Sequence, residues 1–321
     1  MIAQWQIDMA ARPAPPVRAI VAGSTPVLSF GDPLRAGVAT LGINPSSREF
    51  IGEDSLLLTG RLRRLATTES IGAEPRRQLT VEQAGAVVED CNGYFARNPY
   101  RRWFGRLDRV LTSALGVGYY AGTACHLDLI QWATDPAWGK LLDPEKRLLL
   151  DEGRPHLQRL LGQPNLRVVV LNGRSVIDHV TQLRLCALRE VAWIARDRDT
   201  RRLLLGQRNG VTYVGWTTNL QSSRGVSRRF LDELTGTAAT LVGGLGAMPE
   251  PVPSERAPQQ SSASTGDRAY LPLGLTVTSK DELADVLTAW LRDSDAPTIG
   301  DPGRYGGGSG SSSNWPAVGQ S

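Results

Sequence analysis

Cysteine, histidine and lysine are scarce in this chain of 321 residues, with three of each. Cys91, Cys125 and Cys186 lie far apart and form no CxxC pair, which argues against a disulfide framework or a structural zinc site. Three thiolates are also too few for a four-cysteine iron–sulfur cluster. His126, His156 and His179 show neither HxxxH nor HExxH spacing, so no dedicated metal site is expected and these residues read as structural. Neither a metal nor another cofactor is implied. Apolar runs approaching about 18 residues are missing, which excludes a membrane-spanning helix of ordinary design. The first residues, Met-Ile-Ala-Gln-Trp-Gln-Ile-Asp, lack the basic start and apolar stretch of a signal peptide, so a soluble cytoplasmic protein is expected. Two nucleotide and ester chemistries lose their signatures too, since neither GxxxxGK[ST] nor GxSxG occurs.

Arginine is abundant where lysine is not. Beyond Lys140, Lys146 and Lys280, all of the 36 cationic side chains are arginine, in a chain of net charge +4 and pI near 9.1. Doublets recur at Arg76-Arg77, Arg101-Arg102, Arg201-Arg202 and Arg228-Arg229. The planar guanidinium fork suits phosphate oxygens and base edges. A GC-rich coding sequence accounts for the bias equally well, so charge alone does not separate nucleic-acid binding from composition.

Along the chain, a mixed N-terminal extension (1–35) with Pro13 to Pro16 precedes a short apolar run from Ala36 that suits a fully buried strand. Thr80-x-x-Gln83 is a capping box ahead of a helix of roughly 14 residues that reaches Tyr94-Phe95. Trp103, Phe104, Leu107, Val110 and Leu111 fall on one face of a second helix. Tyr119 to Ile130 reads as a strand entering a loop. Asp143-Pro144 reads as a capped helix start, with a break near Gly153-Arg154-Pro155 and an end at Leu161. Further strands are expected over 167–171, 202–205 and 211–216, and helices over 173–185 and from about Val226 to Leu234. Strands alternating with helices predict a three-layer αβα domain (36–243) around a central, mainly parallel sheet. Residues 244–267 read as a flexible linker, 268–294 as a small strand–helix unit, and 295–321 as a disordered tail.

Three segments carry polar groups to strand ends. Gly42-Ile43-Asn44-Pro45-Ser46 closes the first buried strand, where glycine permits close approach and proline stiffens the exit. As an isolated tetrapeptide it is indistinguishable from an ordinary Asx turn. In the segment Cys125-His-Leu-Asp128-Leu-Ile-Gln-Trp-Ala-Thr134, Asp128 follows an apolar strand. The third segment, Trp216-Thr-Thr-Asn219-Leu-Gln-Ser222-Ser-Arg224-Gly-Val226-Ser227, ends a strand in a polar loop that opens a helix, where hydroxyls and N–H groups suit phosphate. All three belong at the carboxyl edge of the sheet, where such folds bind ligands.

In order and spacing, these segments resemble the uracil-DNA glycosylase superfamily, closest to its mismatch-specific and single-strand-selective branches, over about Gly37 to Gly236. The resemblance implies that Asn44 positions the attacking water and that Asn219 steadies the charge on the leaving base. It implies that Gly42, Ile43, Pro45 and Ser46 complete the first motif, and that Phe95 (or Tyr94) stacks on the flipped base. It places Asp128 at the base-reading position and Ser222, Arg224, Val226 and Ser227 in the loop that carries the wedge. The partner implied is DNA, met by a monomer. This sequence departs from the pattern at Leu220, where the family has proline, and at Asp128, where several branches have asparagine. A carboxylate accepts from an exocyclic amine, so Asp128 points to a cytosine derivative, such as a modified base of foreign DNA, rather than uracil. With no lysine in any motif, a Schiff-base lyase step is not expected. A silent nucleic-acid-binding module and a nucleoside hydrolase are the alternatives.

Overall fold

The computed structural model describes residues 2–196, 199–221 and 226–243. The linker, the strand–helix unit and the tail expected beyond Gly243 lie outside the described residues, as do Ser222 and Arg224. Six strands form one sheet: β1 (Val38–Gly42), β2 (Ala124–Asp128), β3 (Val168–Asn172), β4 (Arg189–Arg196), β5 (Asp199–Arg208) and β6 (Val211–Trp216). Their order is β2-β1-β3-β6-β5-β4, parallel from β2 to β6 and antiparallel for β5 and β4.

The parallel strands are buried on both faces, which is why they read as short apolar runs rather than alternating ones. Successive side chains still separate. Val38, Val168, Val170, Val214 and Trp216 enter a core with α2 (Val81–Asn92), α3 (Arg101–Leu115) and α6 (Arg228–Gly243). Ala39, Leu41, Leu127, Val169 and Leu171 enter a second core with α4 (Asp143–Leu161) and α5 (Arg174–Gln182). The molecule is therefore a three-layer αβα fold with a mixed, mainly parallel sheet. Among the described residues no helix is long and apolar enough to cross a membrane.

Two expectations about elements are corrected. The helix expected to break at Gly153 is continuous through Pro155. Gly153 is there for packing, since a β-carbon at that position would come within 2.4 Å of the Leu129 carbonyl oxygen. Asp143 does not cap this helix; Leu142 does by backbone geometry, with Glu145 Oε2 accepting from its N–H at 3.1 Å. The N-terminal extension, residues 1–35, packs into the domain from residue 2 onward. It begins with α1 (Gln4–Ala10), and Ile20, Val21, Val27, Leu28 and Phe30 are all buried. Phe30 pairs its backbone with His126 in both directions, at 2.8 and 2.9 Å.

Candidate active site

Strands β1 and β3 are adjacent, but the chain leaves β1 towards β2 on one side and reaches β3 on the other. The strand order therefore diverges at β1/β3, and a crevice opens beyond the carboxyl ends of these strands. A cleft of about 750 Å³ occupies that place, lined among others by Gly42, Asn44, Glu49, Asp128, Asn172 and Asn219. This size suits a nucleoside-like ligand.

Asn44 is anchored through its amide nitrogen. Nδ2 donates to Thr134 Oγ1 at 3.0 Å, to the Pro45 carbonyl at 3.2 Å and to the Trp132 carbonyl at 3.5 Å. Carbonyl neighbours can only accept, so they fix which end of the amide is nitrogen. Oδ1 is left as the acceptor available for water or substrate. The turn is held in place because Leu129 and Ile130 donate backbone hydrogen bonds to the carbonyls of Gly42 and Ile43. Ile43 packs against the α4/α5 core, and Ser46 lines the cleft while its Oγ accepts from Arg48 N at 3.2 Å.

Asp128 faces Gly42 across the β1–β2 ladder and is 5% exposed. Its Oδ1 lies 3.4 Å from His126 Nε2, and His126 Nδ1 lies 2.7 Å from Thr40 Oγ1, itself 2.5 Å from Tyr119 Oη. One direction of donation satisfies both hydrogen bonds, Tyr119 to Thr40 and Thr40 to Nδ1, and leaves Nε2 as the protonated nitrogen, in 3.4 Å contact with Asp128 Oδ1. Asp128 Oδ2 is buried without a hydrogen-bond partner among the described residues. A buried oxygen of this kind at a cleft is unfavourable unless a ligand supplies the donor. His126, expected to be structural, is thus part of the site.

A hub at Asn172 positions the Asn219 loop. Asn172 Oδ1 accepts from Trp216 Nε1 at 2.9 Å and from Leu220 N at 3.0 Å; its Nδ2 donates to Asn219 Oδ1 at 3.1 Å and Gln221 Oε1 at 3.0 Å. Gly173, at φ +109°, allows this loop to press close, since a β-carbon there would stand 3.0 Å from Asn219 Cβ. Among the described residues Gln221 Nε2 is likewise a buried donor without a partner.

Glu49 ends a short 3-10 turn (Ser47–Glu49) after the Asn44 turn and is 1% exposed. Its Oε2 accepts from Tyr94 Oη at 2.6 Å, and Tyr94 Oη accepts in turn from Tyr100 N at 2.9 Å. Burial pushes the Glu49 carboxyl up to about 7; the Tyr94 hydrogen bond and the Arg64 charge oppose this, and Asp128 adds to it.

The aromatic wall also differs from expectation. Phe95 does not line the cleft; it stacks on Tyr119 with ring centroids 4.7 Å apart. Phe30, Phe104 and Trp103 line it instead. Val226 packs against the α2/α3/α6 core and Ser227 Oγ accepts from Phe230 N at 3.2 Å, capping α6, so neither side chain reaches the cleft. A signal for Asn172 was present, an Asn-Gly step at the end of a Val-rich strand; Phe30 and Glu49 had none beyond residue type. Arg174 and Ser175 open α5 at the cleft, and Arg61, Arg63, Arg64 and Arg97 line a smaller hollow in which Asp90 pairs with Arg63 and Arg97. Among the described residues no group of His, Cys, Asp and Glu is placed to hold a metal ion. No family model matches this chain, and no curated protein matches it in sequence.

Proposed function

We propose that the protein is a monofunctional DNA glycosylase, acting as a cytoplasmic monomer on a flipped pyrimidine and leaving an abasic site in an intact strand. The observation that carries this reading is the meeting of Asn44, Asp128 and Asn219 in one cleft at the sheet's carboxyl edge, with Asp128 Oδ2 lacking a partner among the described residues. Extrusion of the nucleotide costs a few kcal/mol of stacking and pairing. Arg174, at the N-terminus of α5 on the cleft wall, supplies a phosphate contact that offsets part of this cost. Phe30, from the N-terminal segment, takes the stacking role expected of Phe95.

Glycosidic cleavage passes through an oxocarbenium-like sugar. Asn44 Oδ1 has no proton-accepting carboxylate character, so it orients water rather than deprotonating it strongly. The Asn219 loop, held by Asn172, steadies the charge that develops on the base. Asp128 Oδ2 accepts from an exocyclic amine, which favours a cytosine derivative.

The test is incubation with oligonucleotides bearing uracil, mismatched thymine and modified cytosines, followed by alkaline cleavage of abasic sites. Strand breaks that fall about 100-fold in Asn44→Ala support the reading, a loss in the range expected when a reacting group is misplaced. Binding without breaks in any oligonucleotide would refute catalysis and leave a binding module; release of base from free nucleosides alone would indicate a nucleoside hydrolase. Exchanging Asp128 for Asn supplies a donor where only acceptors stood, so preference should move towards uracil by about 10-fold or more, in line with 1–3 kcal/mol per base-edge contact. Unchanged base preference would remove Asp128 from base reading.

A further inference from the structure

Two carboxyl groups face the same cleft from different elements, Glu49 after β1 and Asp128 at the end of β2, and both are more than nine-tenths buried. Their environments differ. Asp128 Oδ1 lies 3.4 Å from His126 Nε2, and Oδ2 has no partner among the described residues. Glu49 receives the Tyr94 hydroxyl on Oε2. Because Tyr94 Oη already accepts from Tyr100 N, its own proton points at Glu49, which leaves Oε1 as the oxygen able to carry a proton. One pocket thus holds an acceptor oxygen on Asp128 and, on Glu49, a second carboxyl whose Oε1 is left to carry a proton. Carboxyl groups buried in this way are how folds supply an acid near neutral pH.

We infer that Glu49 is the general acid of the reaction, delivering its Oε1 proton to the departing base while Asp128 holds the base's amine. This rests on the glycosylase reading of the cleft. The C1′–N1 bond breaks with its electron pair going to the base, and the proton from Glu49 passes to the base O2 or N3, so the base leaves neutral. Water adds its oxygen to C1′ and loses a proton to solvent, from which Glu49 is reprotonated. The step consumes one water and needs no other reactant. It matters most for a cytosine derivative, whose anion spreads charge over one carbonyl where uracil has two and is the poorer leaving group. The charged and titratable groups facing Glu49 are Tyr94 from the turn after α2, Arg64 from the loop preceding that helix, and Asp128 from β2 with His126 beside it. Burial keeps Glu49 protonated up to about neutrality, where such an acid is most effective.

Single-turnover cleavage from pH 5 to 9 tests the inference with wild type, Glu49→Gln and Tyr94→Phe. The wild-type rate should fall about tenfold per pH step above about 7, the value to which Glu49 is raised. Glu49→Gln, nearly isosteric with the protonated acid, should cleave about 100-fold more slowly at pH 6 with no basic limb, within the usual range for general acid catalysis. Its penalty should be smaller for 5-fluorouracil, a better leaving group. Tyr94→Phe removes a hydrogen bond that favours the charged form, so its basic limb should move to higher pH. A wild-type-like basic limb in Glu49→Gln would overturn the inference while leaving the glycosylase reading intact. Absence of cleavage by wild type on every oligonucleotide would overturn both.

Discussion

Gly42→Ala should reduce cleavage by about 1000-fold and cost about 3 kcal/mol of stability, although it adds one methyl group. A β-carbon at Gly42 would lie 2.3 Å from Asp128 Oδ1 and 2.8 Å from His126 Nε2. Neither neighbour is the loose end of a surface chain: both residues are at least 95% buried, and His126 is tied to Thr40 and Tyr119 behind it. Relief must therefore come from parting Asp128 from His126 or from shifting β1 against β2. Parting the pair loosens the packing of two buried polar side chains, and shifting the strands displaces Asn44 two residues on. Gly105→Ala is the control, because that helical glycine has open space where the β-carbon would go and alanine is the better helix former. Urea titration and oligonucleotide cleavage of the two variants decide the matter. If Gly42→Ala proves as stable and as active as Gly105→Ala, the Gly42–Asp128–His126 packing has no role in the site.

The same glycine shows how far the residues alone reach. Short apolar runs gave β1, β2, β3 and β6 because strands buried on both faces need no alternation, and Gly42, Asp128 and Asn219 could be placed at one edge because each follows such a run. Strand β4 escaped notice. Its Arg-Glu-Val-Ala-Trp-Ile-Ala-Arg is flanked by arginines and broken by a bulge between Glu190 and Ala192, with Trp193 half exposed, so neither periodicity nor composition marks it. It lies at the sheet edge, where a charged strand end guards against pairing with another chain.

The parts of the site that stayed hidden are those made by distant contacts. Glu49 stands in a polar Ser-Ser-Arg-Glu run and reads as solvated. Only Tyr94, 45 residues further on, and the closure of the cleft bury it. Phe30 belongs to a segment without period, and its place over the cleft depends on pairing with His126. Phe95 precedes an aromatic helix in the sequence, yet its ring packs against Tyr119 and Phe104 and does not line the cleft. Strand ends are local properties; burial of a carboxyl or an aromatic is not.

Burial of Glu49 has a consequence for stability that does not depend on any substrate. In the unfolded chain the carboxyl titrates near its ordinary value of 4.5, whereas burial raises it to about 7 in the fold. Below about pH 4.5 it is protonated in both states and the fold bears no penalty for burying charge. As pH rises the unfolded chain ionises first, so the balance moves towards unfolding until the folded group also ionises near 7. Above that the loss is complete, and a displacement of this size corresponds to about 3 kcal/mol. Glutamine carries no charge at any pH. Glu49→Gln should therefore match wild type near pH 4.5 and exceed it by about 3 kcal/mol at pH 8, raising the melting temperature by roughly 6–12 °C for a domain of this size. Urea titrations of both proteins at the two pH values measure the difference. Parallel stability profiles would mean that Glu49 ionises in the fold as readily as in water. The protonated carboxyl on which the leaving-group step depends would then not exist near neutral pH, whatever the oligonucleotides show. The penalty at high pH, about 3 kcal/mol, is the expected cost of holding an acid in this cleft.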